Sequence, residues 1–112
     1  MAPEKVTSPP EYWYNDSLQY YAQMFLNTVK PALRIESEIT TYDAELLLLM
    51  RTCHEDLRVS GVNDPFDNFD LLVQAWILYS KAYFGDGDER FERSYHMLRD
   101  SFALSHSGYR GE

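Results

Sequence analysis

The feature that most constrains the fold is the last third of the chain. Residues 71–105 read LLVQAWILYSKAYFGDGDERFERSYHMLRDSFALS. An apolar helical pattern meets a Phe84-Gly85 stop, then an acidic turn, then an amphipathic pattern ending at Ala103-Leu104-Ser105. Such a segment can fold only as a helical hairpin. Leu72, Trp76, Tyr79 and Tyr83 form one stripe of the first arm, and Val73, Ile77 and Phe84 a second. A helix apolar on two sides is central in its bundle or faces a neighbouring subunit. In the second arm Phe91, Tyr95, Leu98 and Phe102 fall at offsets 0, 4, 7 and 11, the spacing of one helical face. Arg90, Glu92, Arg93, Arg99 and Asp100 mark its polar side, with Glu89 and Arg93 spaced to pair.

The rest of the chain gives the hairpin something to pack on. Leu46, Leu49, Met50, Cys53 and Leu57 make another clean stripe at 0, 3, 4, 7 and 11. Thr40 or Thr41 is the expected cap, Asp43 and Glu45 suit the first turn, and Gly61 is a left-handed stop. Residues 63–70, NDPFDNFD, read as a loop in which Asp67 or Asn68 caps the next helix. Upstream, Asp16 or Ser17 reads as a cap, followed by Leu18, Tyr21, Ala22 and Phe25 on one stripe. Leu26–Ile35 reads as a short helix with Leu26, Val29 and Leu33 inward. Pro31 leaves open whether it is separate from the helix before it.

No segment alternates with the two-residue period of a strand, and no internal repeat is visible. The expectation is an all-α bundle of about four to five helices with extended N- and C-terminal arms. Residues 1–11 form a flexible arm, 12–104 the helical domain, and 105–112 an aperiodic tail. The predicted core is Leu46, Leu49, Met50, Cys53, Leu57, Leu72, Trp76, Tyr79, Phe91, Tyr95, Leu98 and Phe102.

At 112 residues, 45% of them hydrophobic, one core without disulfides is sufficient. The single cysteine, Cys53, excludes an internal disulfide and suits a reducing cytoplasm. Its place on a core stripe makes it a structural thiol. The longest apolar run, Leu46–Met50, is far short of a membrane span. The N-terminus has Pro3, Pro9 and Pro10 and no apolar stretch of a signal peptide. The net charge is −8, and the ten basic residues are scattered. A reader of nucleic-acid sequence needs a basic stripe, and none is present. Aromatic residues make 15% of the chain, more than a small bundle can centre, so some should meet other subunits.

Chemistry finds little support. Cys53 and His54 are neighbours on a helix, about 100° apart, and cannot easily share an ion. His96 reads as a boundary residue and His106 lies in the tail. Asp86-Gly87-Asp88-Glu89 fails as a calcium loop, because Arg90 and Met97 stand where ligands are needed. Asp64, Asp67 and Asp70 read as a solvated loop with a helix cap. No phosphate loop, nucleophile elbow or zinc-protease motif occurs. No catalytic residue, cofactor or metal is expected.

Four stretches together resemble the head–tail connector, or adaptor, family of tailed phages. VKPALRI at 29–35 is similar to a family helix ending Val-Lys-x-Ala-Leu-Arg-Ile. YDAELLLLMRTCHEDLRVSGV at 42–62 is similar to one opening Tyr-Asp-x-Glu-Leu and closing Asp-Leu-x-x-x-Gly-Val. DLLVQAWILYSKAYFG at 70–85 resembles a helix ending Tyr-x-Lys-Ala-x-Phe-Gly. ERFERSYHMLRDSFALS at 89–105 resembles the closing helix, with Phe102 where Leu is usual. Residues 1–25 extend beyond typical members.

The resemblance implies a homo-oligomeric ring, commonly twelve-fold, docked on the portal protein. The ring receives stopper or tail-completion proteins and lets double-stranded DNA pass without sequence-specific binding. Its place would be the virion neck, reached from the host cytoplasm during assembly, with no membrane involved. Implied portal-docking residues are Ser105, His106, Ser107, Gly108, Tyr109, Arg110, Gly111 and Glu112. Charge makes Asp64, Asp67, Asp70, Asp86 and Asp88 candidates for lining a DNA channel, since acidic walls avoid resting sites for phosphate. Two other classes fit the composition: an acidic helical inhibitor or DNA mimic, which needs carboxylates arrayed on one face, and a helix-turn-helix regulator, which needs a basic recognition helix.

Overall fold

The computed structural model describes residues 11–111, with side chains described for residues 16–105. Four helices and one short 3₁₀ turn follow in order: α1 Glu11–Ala32, α2 Asp43–Val59, a 3₁₀ turn Pro65–Asp67, α3 Phe69–Tyr83 and α4 Glu89–Gly111. The described residues contain no strand. Ring contacts fix the directions. Tyr21, midway along α1, meets Phe66 and Phe69 at the start of α3, while Phe25, one turn on, meets Trp76. Tyr79 on α3 meets Tyr95 on α4 edge to face at 5.0 Å. The bundle therefore runs up, down, up, down. One pole holds the 33–42 connection and the 84–88 turn. The other holds the 60–68 loop, and the first half of α1 and the last turns of α4 extend past it.

The core is apolar and continuous. Leu18, Ala22, Leu26 and Val29 of α1 join Leu46, Met50, Cys53 and Leu57 of α2, Leu72, Ala75 and Trp76 of α3, and Tyr95 and Phe102 of α4. Leu49, Tyr79 and Leu98, also predicted inside, are half-buried at the margin of that core, and Phe91, predicted with them, is half-buried outside it beneath the Lys81 ammonium. Helix α3 is the hub: it packs most extensively on α4, then on α2 and α1. The two apolar sides read from its sequence correspond to this central position.

The helix ends differ in places from the sequence expectation. Helix α1 is continuous from Glu11, so Asp16 and Ser17 lie inside it, and of the two options left open for residues 26–35 the structure has the one in which they continue the helix before them, as far as Ala32. Pro31 stands in the last turn, where it forgoes the bond to the Asn27 carbonyl, and the helix ends one residue later. The helix then closes in a Schellman arrangement. The Ile35 amide donates to the Lys30 carbonyl at 2.9 Å and the Arg34 amide to Pro31 at 2.9 Å. Arg34 occupies the left-handed position with φ 64°, where glycine is the usual residue. Ile35 tucks its side chain into the core beneath.

Helix α2 closes the same way. The Val62 amide donates to Leu57 and the Gly61 amide to Arg58, with Gly61 at φ 118°. Its start is a correction. Thr40 and Thr41 lie in the preceding turn, and the capping position is Tyr42, whose side chain supplies no cap bond. Asn68 does cap α3, its Oδ1 accepting from the Leu71 amide at 3.1 Å. Helix α4 continues to Gly111, past the end near residue 104 that periodicity indicates. Nothing between Ser105 and Gly111 is a proline, so no residue there forbids propagation.

Candidate functional site

Helices α2 and α4 are joined by a polar network at their interface. The Tyr95 hydroxyl donates to Asp56 Oδ2 at 2.6 Å, and Arg99 Nη1 reaches the same oxygen at 3.2 Å. Burial, the nearby Cys53 and the bond to Asp56 all push the Tyr95 hydroxyl pKa up, so it stays protonated as a donor. Burial likewise pushes the Cys53 thiol up, which makes it inert rather than nucleophilic. Its neighbour His54 is fully buried, its ring 4.6 Å from that of Phe66. Burial, with the charge of Arg58, lowers the imidazole pKa to about 3, so it is a neutral core group. No group of three or more His, Cys, Asp or Glu among the described residues is placed to hold a metal ion.

A second buried polar feature was not visible in the sequence. Lys30, at the end of α1, is 1% exposed. Its ammonium pairs with Asp43 at 2.9 Å and donates to the Ser37 carbonyl at 3.0 Å. This fastens the 33–42 connection across the pole and ties the end of α1 to the start of α2. The positive charge also faces the negative end of the α1 dipole. The one available signal is its place between the inward Val29 and Leu33.

The acidic candidates fall into two separate groups. Asp86 and Asp88 lie at the pole of the 84–88 turn. Asp64, Asp67 and Asp70 lie at the opposite pole. These five cannot form one array. Two of them also have local structural work. Asp64 accepts from the Phe66 amide at 3.1 Å and starts the 3₁₀ turn. Asp88 accepts from the Arg90 amide at 2.9 Å and pairs with its guanidinium at 2.8 Å. Those bonds to Arg90 lower the Asp88 pKa, with Arg93 adding through space. Asp67, Asp70 and Asp86 are exposed.

The turn itself is built by glycine. Gly85 and Gly87 have φ 63° and 76°, and the Asp88 amide donates back to the Ala82 carbonyl at 3.0 Å. A methyl group at Gly87 would run into that same carbonyl oxygen. Tyr83 reaches across the hairpin to Glu92 at 2.9 Å, and burial together with this bond pushes its hydroxyl pKa up to about 12. Tyr42 stacks edge to face on Phe84 at 5.4 Å, joining the start of α2 to the same pole.

Of the tail residues, Ser105 is exposed on α4. His106, Ser107, Gly108, Tyr109, Arg110 and Gly111 continue the helical backbone, their side chains outside the described set, and Glu112 lies outside it altogether. The arm at residues 1–10 also lies outside the described residues, and Glu11 already opens α1. Long apolar side chains remain on the surface: Tyr20 and Met24 on α1, Leu48 and Val59 on α2, Met97 and Leu104 on α4.

A family model described as "Phage connector protein" matches residues 25–103. The matched segment runs from the inward Phe25 to Ala103, which faces Gly61 at the end of α2. No curated protein and no solved structure matches the chain. Among the described residues, no helix is long and apolar enough to cross a membrane.

Proposed function

The chain belongs to the phage connector protein family, and from that premise we propose that it is a ring-forming adaptor in the neck of a tailed phage. It sits between the portal and the stopper or tail-completion proteins, about twelve copies surrounding the DNA channel. It acts as a structural conduit. The observation that carries this reading is the family match, which spans the helical bundle rather than one helix.

Physical features support it. The surface keeps aromatic and Met side chains of the kind interfaces use. With net charge −8, a ring would present a repulsive rather than an adhesive wall to DNA. Asp64, Asp67 and Asp70 at one pole and Asp86 at the other are the lining residues we favour. Both groups can border the lumen if the bundle stands along the channel.

Portal docking is assigned to residues 105–112, in the form of a helical extension of α4 as far as Gly111. Equal rise along two antiparallel helices, counted from the Tyr79–Tyr95 contact, brings Phe69 level with Ser105. The backbone beyond Ser105 therefore projects past the start of α3 and is free to enter a partner.

The test is decoration of portal-bearing capsids, read by electron microscopy and by co-sedimentation. The full chain should add a ring of density at the portal vertex. A chain ending at Leu104 should keep the bundle, losing helix content only for the seven α4 residues removed, and fail to decorate. Normal decoration by the shortened chain would remove the docking role from the tail. Failure of the full chain to decorate would remove the adaptor reading.

A further inference from the structure

Helix α4 is held by its two neighbours in different ways. It packs along α3, and the glycine turn at 84–88 joins the two. It does not pack along α2 in that manner. Helices α2 and α4 meet near their ends, where Ala103 Cβ stands 3.5 Å from the point a Cβ on Gly61 would occupy. That contact stops α4 from moving closer to α2. It does nothing to stop α4 from moving away.

The tie in that second direction is one carboxylate. Asp56 Oδ2 accepts from the Tyr95 hydroxyl at 2.6 Å and from Arg99 Nη1 at 3.2 Å. The two donors stand one turn apart on the same face of α4, so the carboxylate holds the helix against rotation as well as departure. Arg99 is steadied from its own helix, its Nε pairing with Asp100 at 3.2 Å, and its guanidinium lies 5.9 Å from the centre of the Tyr95 ring. The Tyr95 ring in turn meets Tyr79 of α3 edge to face. Tyr95 is fully buried where α2, α3 and α4 converge. A phenylalanine would fill that space equally well, and the hydroxyl adds the reach to α2.

What this tie controls is direction. A single helix–helix interface accommodates crossing angles scattered by about 15°. Pivoting α4 at the 84–88 turn by that amount moves Leu104 by about 6 Å and Gly111 by about 9 Å, at about 1.5 Å of rise per residue. Side chains touch only within about 4.5 Å, so a swing of that size takes the end of the helix out of reach of a fixed receptor.

We infer that Asp56, Tyr95 and Arg99 form a latch that sets the direction in which α4 leaves the bundle, which makes them positioning residues for the docking segment 105–112. They act through the axis of α4 and need no contact with the portal. The positioning role rests on the docking reading above, whereas the latch itself stands on the geometry. Releasing it strands no charge in the core. The Arg99 and Asp56 side chains are 24% and 35% exposed, so water can solvate either once freed.

The first test is a distance measurement by double electron–electron resonance on the full chain, with nitroxides at Leu48→Cys on α2 and Leu104→Cys on α4. Both positions are well exposed, and the buried Cys53 is shielded from label. With the latch intact the distance distribution should be single and narrow. With Tyr95→Phe and Arg99→Met together it should broaden by about 3–6 Å at unchanged helicity. Arg99→Lys alone keeps the charge and the Tyr95 bond, and should keep the narrow distribution. Should the released variant lose helicity, Asp56→Ala repeats the measurement from the α2 side. An unchanged distribution in a folded released variant overturns the inference.

The second test uses portal-bearing capsids and unlabelled protein. The released variant should need about ten times the concentration of the unaltered chain for half-maximal decoration, as expected when about one orientation in ten is competent. Arg99→Lys should decorate normally. A broadened distribution with undiminished decoration overturns the positioning role. Failure of the unaltered chain to decorate is a different result. It removes the docking reading and the positioning role with it, and leaves the latch to be judged by the distances.

Discussion

Single residues in this chain matter mostly through what their backbone or their burial forbids. The 84–88 turn is the sharpest case. Gly85 and Gly87 both have positive φ, but only Gly87 has a carbonyl where a side chain would begin. Gly85→Ala should therefore cost about 1 kcal/mol, the ordinary penalty of a left-handed alanine. Gly87→Ala adds a clash to that strain and should cost about 3 kcal/mol. Urea unfolding of the two variants side by side checks the ordering, and equal losses would mean the turn relaxes freely. His54 makes a different prediction. Its folded pKa lies near 3 against an ordinary 6.5, so the unfolded chain takes up the proton first. Its contribution is full above about pH 6.5 and is lost as pH falls from there toward 3. The slope approaches about 1.4 kcal/mol per pH unit. A His54→Phe variant keeps a ring against Phe66 and should lack that part of the acid sensitivity. Parallel pH profiles for the two proteins would show that the imidazole is accessible to protons in the fold.

Elements are held by end contacts as much as by their faces. The Lys30–Asp43 pair fixes the end of α1 to the start of α2, whose capping residue Tyr42 supplies no side-chain bond. Asp43→Ala strands a buried ammonium with one carbonyl partner and should cost about 3 kcal/mol. Adding Lys30→Met should recover most of that loss, because a buried pair replaced by apolar volume is often neutral. Additive losses in the double-mutant cycle would contradict a coupled pair. This clamp also marks where the sequence became illegible. A lysine two residues before a helix end reads as solvated, and only the returning 33–42 connection buries it. The helical stripes of α2, α3 and α4 were legible because each repeats the 3.6-residue period over three or more turns. The join within α1 was not, since Asp16, Ser17 and Pro31 are locally good break signals that packing on α2 and α3 overrides. Leu49 and Leu98 carry the right phase for burial, yet sit at the margin because a hub helix shields its own side of each neighbour and not the flanks. The acidic candidates could be found by composition alone, but their division between two poles is a property of topology.

At the scale of the whole molecule, charge and shape act against each other. Each copy carries −8, so neighbours repel before their exposed apolar side chains touch. Added salt shortens that repulsion to within about 3–10 Å and leaves apolar contact intact. Self-association of the free chain should therefore strengthen as salt rises from roughly 0.05 M to 0.5 M, opposite to an assembly held by ion pairs. Sedimentation velocity across that range reads it directly, and weakening with salt would identify a polar interface instead. The layout also has a consequence in time. Helices α3 and α4 are sequence neighbours joined by a tight glycine turn and share the most extensive packing in the bundle. Contacts of such short loop length close fastest. The hairpin is therefore the natural folding nucleus, and α1, whose partners lie tens of residues away, docks late. On the ribosome the order of synthesis is reversed: α1 emerges first and must wait, its apolar face uncovered, until the hairpin that receives it has been made.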